Sequence, residues 1–394
     1  MTARAGVLAR PPLWRDVRVL RVAFQVAVVA AVVLVVRWFI TNMLAGLDRI
    51  GLGFSYGFLD QRAGFAIHES LGGVEYAPND TYLQAFKVGV VNTVLVSFTG
   101  IILASALGLF AGIARLSSNW LVRRLATLYV ETFRNTPLLV QLIFWYVGVF
   151  LQLPPIQQTV DLFGAVLVSV RGTAVPWLAR EPGFRVWLLL ILAGLALGWW
   201  ARRVLVRRSE QSGDPIHVFW WSAAIFLAVA ATGYLVTGGP ARVSLPLREG
   251  RIYTGGAVIT PELTALLVGL VVYTGAFIAE IVRGSILAVS RGQTEAAFAL
   301  GLSNPQRLRL VVIPQALRVM IPPLANQFLN LTKNSSLAFA VAWPDLFQVA
   351  KTTISQGGGA VSMIALVMLT YLAMSLTISA VANFFNGRLA FPTR

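Results

Sequence analysis

The stretch Ser290-Arg-Gly-Gln-Thr-Glu-Ala-Ala-Phe-Ala-Leu-Gly301-Leu-Ser-Asn-Pro305 is short, polar and set between two long apolar runs. Ser290 and Gln293 have the spacing of a capping box, and Glu295 falls in the first turns, where a negative charge suits the helix dipole. Gly301 is placed to end the helix, and Ser303 or Asn304 followed by Pro305 at the first helical position starts another. The reading predicts a helix of about ten residues over 290–302, held on one side of a membrane. The small side chains of Ala296 and Ala297 are expected to let a partner approach closely.

Outward from this stretch, apolar runs cover roughly 262 to 285 and 312 to 342, and six more lie at roughly 22 to 44, 86 to 114, 126 to 151, 184 to 201, 217 to 237 and 360 to 385. Each is near the roughly 20 residues a spanning helix needs. Composition agrees: 57% of the chain is hydrophobic and 12% charged, with a mean hydropathy of +0.73, so lipid is the expected solvent. The first run is preceded by Arg15, Arg18 and Arg21 but is long and lacks a small-residue cleavage pattern, so it reads as a retained anchor.

The net charge of +16 sits in short blocks between apolar runs, which points to a membrane surface and not to nucleic acid. Arg4 to Arg21, Arg115 to Arg124, Arg202 to Arg208, Arg283 to Arg318, Arg388 and Arg394 fall on one side, so both termini are expected in the cytoplasm. The chain has no Cys, and His68 and His217 stand apart, so no zinc or other metal site is expected. Its lysines, Lys87, Lys333 and Lys351, follow Phe86, Thr332 and Ala350, so none completes the Gly-Lys-Ser/Thr of a phosphate-cradling loop.

The polar segments Ala45 to Ala85, Gln152 to Gly183 and Gly238 to Pro261 suit ordered loops with short interfacial helices. Residues 155 to 255 read as a plain hydrophobic hairpin with a basic turn, inserted into a more distinctive body. Glu131, Arg134, Glu280 and Lys333 are ionisable groups inside spans, each costing about 2.5 to 3.5 kcal/mol on insertion scales. Arg134 precedes Thr136-Pro137, and Lys333 follows Pro322-Pro323, where breaks in the helices are expected. Polar groups at broken helices are where transporters hold substrate. Arg134, Thr136, Gln141, Glu280, Lys333 and Asn334 are therefore candidates to line a translocation path, with cations meeting a carboxylate and Glu280 an amino group. The competing structural reading pairs Glu131 or Glu280 with Arg134 or Arg283, and Glu280 with Arg283 has the i, i+3 spacing of a local pair.

Glu295-Ala-Ala297, Gly301 and Val311-Val-Ile-Pro314 resemble the EAA motif of ABC importer permeases, with its spacing kept and Val311 and Ile313 as apolar departures. Phe133-Arg-Asn-Thr-Pro-Leu-Leu-Val-Gln141, Ala279-Glu-Ile-Val-Arg-Gly284 and Lys333-Asn-Ser-Ser-Leu337 are similar to the permeases for histidine, glutamate, glutamine, arginine and opines. Asn135 stands for the commoner Gly, and Asn334 for Asp.

The resemblance covers about 85 to 150 and 260 to 390. It implies an all-α integral membrane protein of about eight transmembrane helices: a type I importer core of five helices, an N-terminal span and an inserted hairpin. The implied divisions are 1–84, with the first span and outer loop; 85–151 and 259–394, the two parts of the core; and 152–258, the insertion. The extra pieces resemble the larger permease subunit of general L-amino-acid importers.

The family implies a coupling helix that docks on an ATPase through Gln293, Glu295, Ala296, Ala297, Gly301 and Pro314. It also implies ATP and Mg bound by that partner, a second permease subunit, an external amino acid binding protein and a bacterial inner membrane. The alternative is an ion-coupled secondary transporter in which Glu131 and Glu280 carry protons or ions.

Overall fold

The computed structural model describes residues 17–49, 53–180, 183–212 and 217–389. Arg4, Arg10, Arg15 and Arg394, which enter the charge argument, lie outside these residues. Seven helices among the described residues are long and apolar enough to cross a membrane, and a bent pair brings the number to eight. The chain divides into two compact units, Met1–Thr99 with Leu317–Phe339 and Pro344–Arg394, and Gly100–Ala316 with Ala340–Trp343.

In the first unit lie α1 (Val17–Arg49) and the start of α2 (Tyr82–Ala114). A core forms where Phe58 and Ala63 of the outer segment meet Tyr82 and Ala85 of α2 and, from later in the chain, Leu346, Val349 and Met363. The buried Asn92 ties this region together. Its Nδ2 donates to the carbonyls of Glu69 (3.0 Å) and Pro344 (2.8 Å), while its Oδ1 accepts from the Leu71 amide (2.8 Å).

In the second unit, α2 continues and is followed by α3 (Trp120–Arg134), capped by Asn119, whose Oδ1 accepts from the Leu121 and Val122 amides. The helix stops at Thr136-Pro137, and α4 (Leu138–Ile143), prolonged by tighter and wider turns to Gln152, leaves at 105°. A proline without an amide donor leaves carbonyls of the preceding turn unpaired. The buried Gln141 satisfies two of these, donating through Nε2 to Phe133 O and Thr136 O at 2.9 Å each.

Residues beyond Gln152 depart from the expectation of interfacial helices. Strands β1 (Val160–Leu162), β2 (Val166–Ser169), β3 (Gly172–Val175) and β4 (Trp177–Arg180) precede a helical hairpin, α5 (Phe184–Ser212) and α6 (Val218–Val236). Strands β5 (Ala241–Ser244), β6 (Leu247–Glu249), β7 (Ile252–Thr254) and β8 (Ala257–Ile259) follow it.

Strands β1 with β2, β2 with β3 and β6 with β7 pair locally, whereas two pairings are distant in sequence: β3 with β8, Thr173 opposite Ile259, and β4 with β5, Trp177 opposite Ser244. Each of these two places one strand before the hairpin against one after it, closing the base of the hairpin with backbone hydrogen bonds. In the hairpin, Gly194, Gly198 and Gly233 let the backbones approach, and Trp187 Nε1 donates to Ala230 O (3.0 Å).

Thr260 caps α7 (Pro261–Leu287), with Pro261 at its first position. Gly108 and Gly112 on α2 form a small-xxx-small pair against it. A Cβ at Gly108 would stand 2.5 Å from Ile278, and one at Gly112 would stand 2.7 Å from Ala279 O, so only glycine permits this crossing. Short helices α8 (Arg291–Ala299) and α9 (Asn304–Arg307) lead to α10 (Ile313–Asn334).

The expected break at Pro322-Pro323 is not found. Both prolines lie inside α10, and the change of helix type comes after Asn334, where a tighter turn runs over Ser335–Val341. A missing donor removes one bond to the previous turn but does not by itself end a helix. Helices α11 (Leu346–Ser355) and α12 (Ala360–Leu389) complete the chain, both in the first unit.

Candidate functional site

Helix α8 begins after Ser290, but the proposed capping box is not formed. Ser290 makes no side-chain cap, and Gln293 Oε1 instead accepts from Gln315 Nε2 of α10 at 3.1 Å. The box appears one element later, where Ser303 and Gln306 cap α9 and Pro305 takes its second position.

At the other end of α8, Gly301 adopts φ +73°, with its amide bonded to Phe298 O (2.9 Å) and that of Leu302 to Ala297 O (3.1 Å). This is a Schellman stop, and its left-handed residue favours glycine. Arg307 lies over the Phe298 ring at 4.9 Å and fixes α9 against α8.

Glu295 and Ala296 are exposed, as is Gly301, while Ala297 is buried. The small size of Ala297 therefore serves packing within the chain, and Ala296 alone of that pair is open to a partner. Pro314, in the first turn of α10, is half-buried. Phe298 and Leu300, both exposed, widen the apolar part of this surface beyond what the motif indicated.

A second feature of the same unit is a charged cluster. Glu280 on α7 accepts from Arg283 (Nε, 3.1 Å), one turn along the helix, and from Arg115 at the end of α2, and it lies 3.9 Å from Arg134 of α3. Arg115 also reaches Glu131 at 3.6 Å. The Arg134 guanidinium stands 5.2 Å from the Phe277 ring, and its buried Nε has no protein acceptor.

Arg134 and Glu280 are thus brought together, but both Glu280 oxygens are engaged by guanidinia. Gln141 closes the helix break through its amide nitrogen, while its buried Oε1 accepts from no protein donor. Thr136 Oγ1 donates to Thr132 O (2.9 Å). Lys333 and Asn334 belong to the other unit, where Lys333 is exposed and Asn334 half-buried.

Sequence reasoning had counted Arg115 as a surface charge and had passed over Phe277. It also missed a polar groove of about 290 Å³ in the first unit, where Pro322 and Asn326 of α10 face Ser379, Asn383 and Asn386 of α12. The amides of α12 were the available signal, spaced three residues apart near the end of an apolar helix.

At the start of α11, the buried Asp345 caps the helix by accepting from the Gln348 amide (2.8 Å) and lies 3.4 Å from the Tyr371 hydroxyl. Burial pushes its carboxyl up to about 7, against the smaller opposing effect of these hydrogen bonds. No group of three or more potential metal ligands occurs among the described residues.

The family described as binding-protein-dependent transport system inner membrane component matches residues 104–392. The chain belongs to this permease family. Among relatives of the permease, the general L-amino acid transport system permease protein AapQ of Rhizobium johnstonii is 39% identical, over 94% of this chain and 92% of the relative. The glutamate/glutamine/aspartate/asparagine transport system permease protein BztB of Rhodobacter capsulatus is 37% identical, over 96% of each chain. YhdX of Escherichia coli is 42% identical over 94% of both. All three alignments run through the hairpin and strands as well as the motif-bearing helices, so the relatives match the permease over nearly its whole length.

Proposed function

We propose that this permease is the membrane subunit of an ATP-driven importer of polar L-amino acids. The observation that carries the reading is α8, a capless helix ended by Gly301 that presents Glu295 and Ala296 between two spanning helices. Its partner is an ATPase subunit that binds ATP and Mg, and closure of a pair of such subunits moves α8 and the helices attached to it as rigid bodies. A second permease chain and an external amino acid binding protein complete the complex, and both termini face the cytoplasm. The body is 85–151 with 259–394, and the insertion is 152–258.

For the path, Arg134 is the contact for a substrate carboxylate, because its guanidinium is partly exposed and lies 3.9 Å from Glu280, beyond hydrogen-bond distance. Glu280 acts through Arg134 by holding it in place with Arg115 and Arg283. Thr136 and Gln141 form the polar break beside it, and Lys333 and Asn334 are separate candidates for the path. An ion-coupled transporter through Glu131 and Glu280 would need carboxylates available to its ion; Glu280 is engaged by arginines, and Glu131 faces Arg115 at 3.6 Å. Copurification tests the docking: the wild-type chain brings down an ATPase, and Glu295→Arg loses it while still inserting. Retention of the ATPase by Glu295→Arg would count against α8 as the docking element.

A further inference from the structure

Helix α5 is ten residues longer than α6, and its excess length carries a dense block of arginine. Arg202, Arg203 and Arg207 line one shallow groove with Trp199 and Val206. Glu210 borders the groove, yet no carboxylate among the described residues pairs with any of these three arginines. Arg203 lies 3.7 Å from the Trp199 ring centroid, so its guanidinium is oriented while its donors stay available.

The depth of this groove follows from two independent features. Phe184 begins α5 just after strand β4, and Arg202 lies 18 residues later, about 27 Å along the axis, close to the thickness of a hydrocarbon core. An aromatic belt marks the same level: Trp199 and Trp200 on α5 and Trp220 and Trp221 on α6 are all exposed. The helices are in register there, since a Cβ at Gly198 would come 3.1 Å from Ser222 O. Arg202 and Arg203 thus stand at phosphate depth. Below them, Leu188, Leu192 and Leu195 are exposed along the stripe that leads to Trp199, a track suited to an acyl chain.

We infer that this groove binds the phosphate headgroup of an anionic phospholipid, with Arg202, Arg203 and Arg207 on the phosphate and the leucine stripe against one acyl chain. On the orientation proposed above, the lipid belongs to the inner leaflet. Charge complementarity selects it: three guanidinia with one neighbouring carboxylate favour an anion, and guanidinium matches phosphate geometry bidentately. The insertion would then be held to lipid at the arginine-bearing end of α5.

The test reconstitutes the full chain in nanodiscs of phosphatidylcholine and phosphatidylglycerol. Electron spin resonance of headgroup-matched, spin-labelled lipids measures the selectivity of the immobilised shell. Wild type is expected to prefer phosphatidylglycerol severalfold at this site, each arginine contributing at most about fivefold. The variant Arg202→Gln/Arg203→Gln/Arg207→Gln should fall to a ratio near one, while Arg123→Gln/Arg124→Gln should keep the preference. Unchanged selectivity in the triple variant overturns the site. Displacement of the lipid by inorganic phosphate makes it a free-anion site and overturns the lipid assignment, as does a photo-crosslink from Val206 to another protein in native membranes. Because the chain has no Cys, Ser209→Cys labelled with an impermeant maleimide reports orientation separately. Labelling from outside would reverse the leaflet and the topology without touching the nanodisc result.

Discussion

Helices α6 and α7 are both apolar enough to cross a membrane, yet 56% of the most apolar window of α7 is buried within the chain and only 6% of that of α6. Hydropathy selected both, and it does not distinguish them. What separates them is the pattern of small and ionisable residues. Gly275 and Ala279 on α7 admit α2 at Gly108 and Gly112, and Glu280 gathers three arginines from as many helices. In a solvent as apolar as leucine, close backbone packing and satisfied polar groups hold helices together, and α7 has both. The hairpin packs chiefly on itself through Gly194, Gly198 and Gly233 and presents large apolar side chains outward.

The comparison is broken most directly at the glycine crossing. Gly108→Leu should destabilise the chain by about 3 kcal/mol, because the added atoms overlap Ile278 and the backbone of Gly275. Gly194→Ala, whose Cβ would stand 3.3 Å from Val229, should cost under about 1 kcal/mol in the hairpin. Denaturant unfolding in detergent compares the two, and equal losses would mean that α7 is no better packed than α5.

The next largest effect is expected at the charge cluster. Glu280→Gln leaves Arg283 without a counter-charge and Arg115 with Glu131 alone, at a cost of about 2 kcal/mol for a partly exposed group. Adding Arg283→Gln should restore part of the loss, and a double-mutant cycle measures how much.

A pH-dependent effect is expected at Asp345. Its folded carboxyl lies at about 7 against an ordinary 3.8, so the native state keeps a proton that the unfolded chain releases. Stability is therefore full below about pH 4, declines as pH rises towards 7 and is level above that. Asp345→Asn, which retains a capping acceptor, should flatten this slope in unfolding temperatures measured from pH 4 to 8. The smallest effect belongs to the outward face of the hairpin: Leu227→Ala should change stability by less than about 0.5 kcal/mol in the same unfolding assay.

The spans were legible because a run of apolar residues has no other use at this length. So was the break at Thr136-Pro137, since proline removes a donor where no second strand or helix supplies one. The strands were not legible: each is three or four residues long, and β3 and β4 find partners such as Ile259 and Ser244 only across the whole hairpin. Ser290 and Gln293 had the right spacing for a cap, but Gln315 offered Gln293 a partner that only the folded chain brings near. Pro322-Pro323 was read by the same rule as Pro137, yet the helix runs through both prolines. Gly108 and Gly112 went unread, because spacing alone does not say which helix such a pair receives. Arg115 was placed by charge counting at a surface, and its side chain turned inward to Glu280.

The central claim is that α8 transmits ATP hydrolysis by a partner to the membrane helices. Its most direct test is uptake of a labelled panel of polar amino acids into membrane vesicles holding the chain, its ATPase and its binding protein, with Gly301→Asp as the comparison. The account predicts uptake that requires ATP and disappears in Gly301→Asp while the variant still inserts. Uptake that needs no nucleotide and survives the substitution would contradict it.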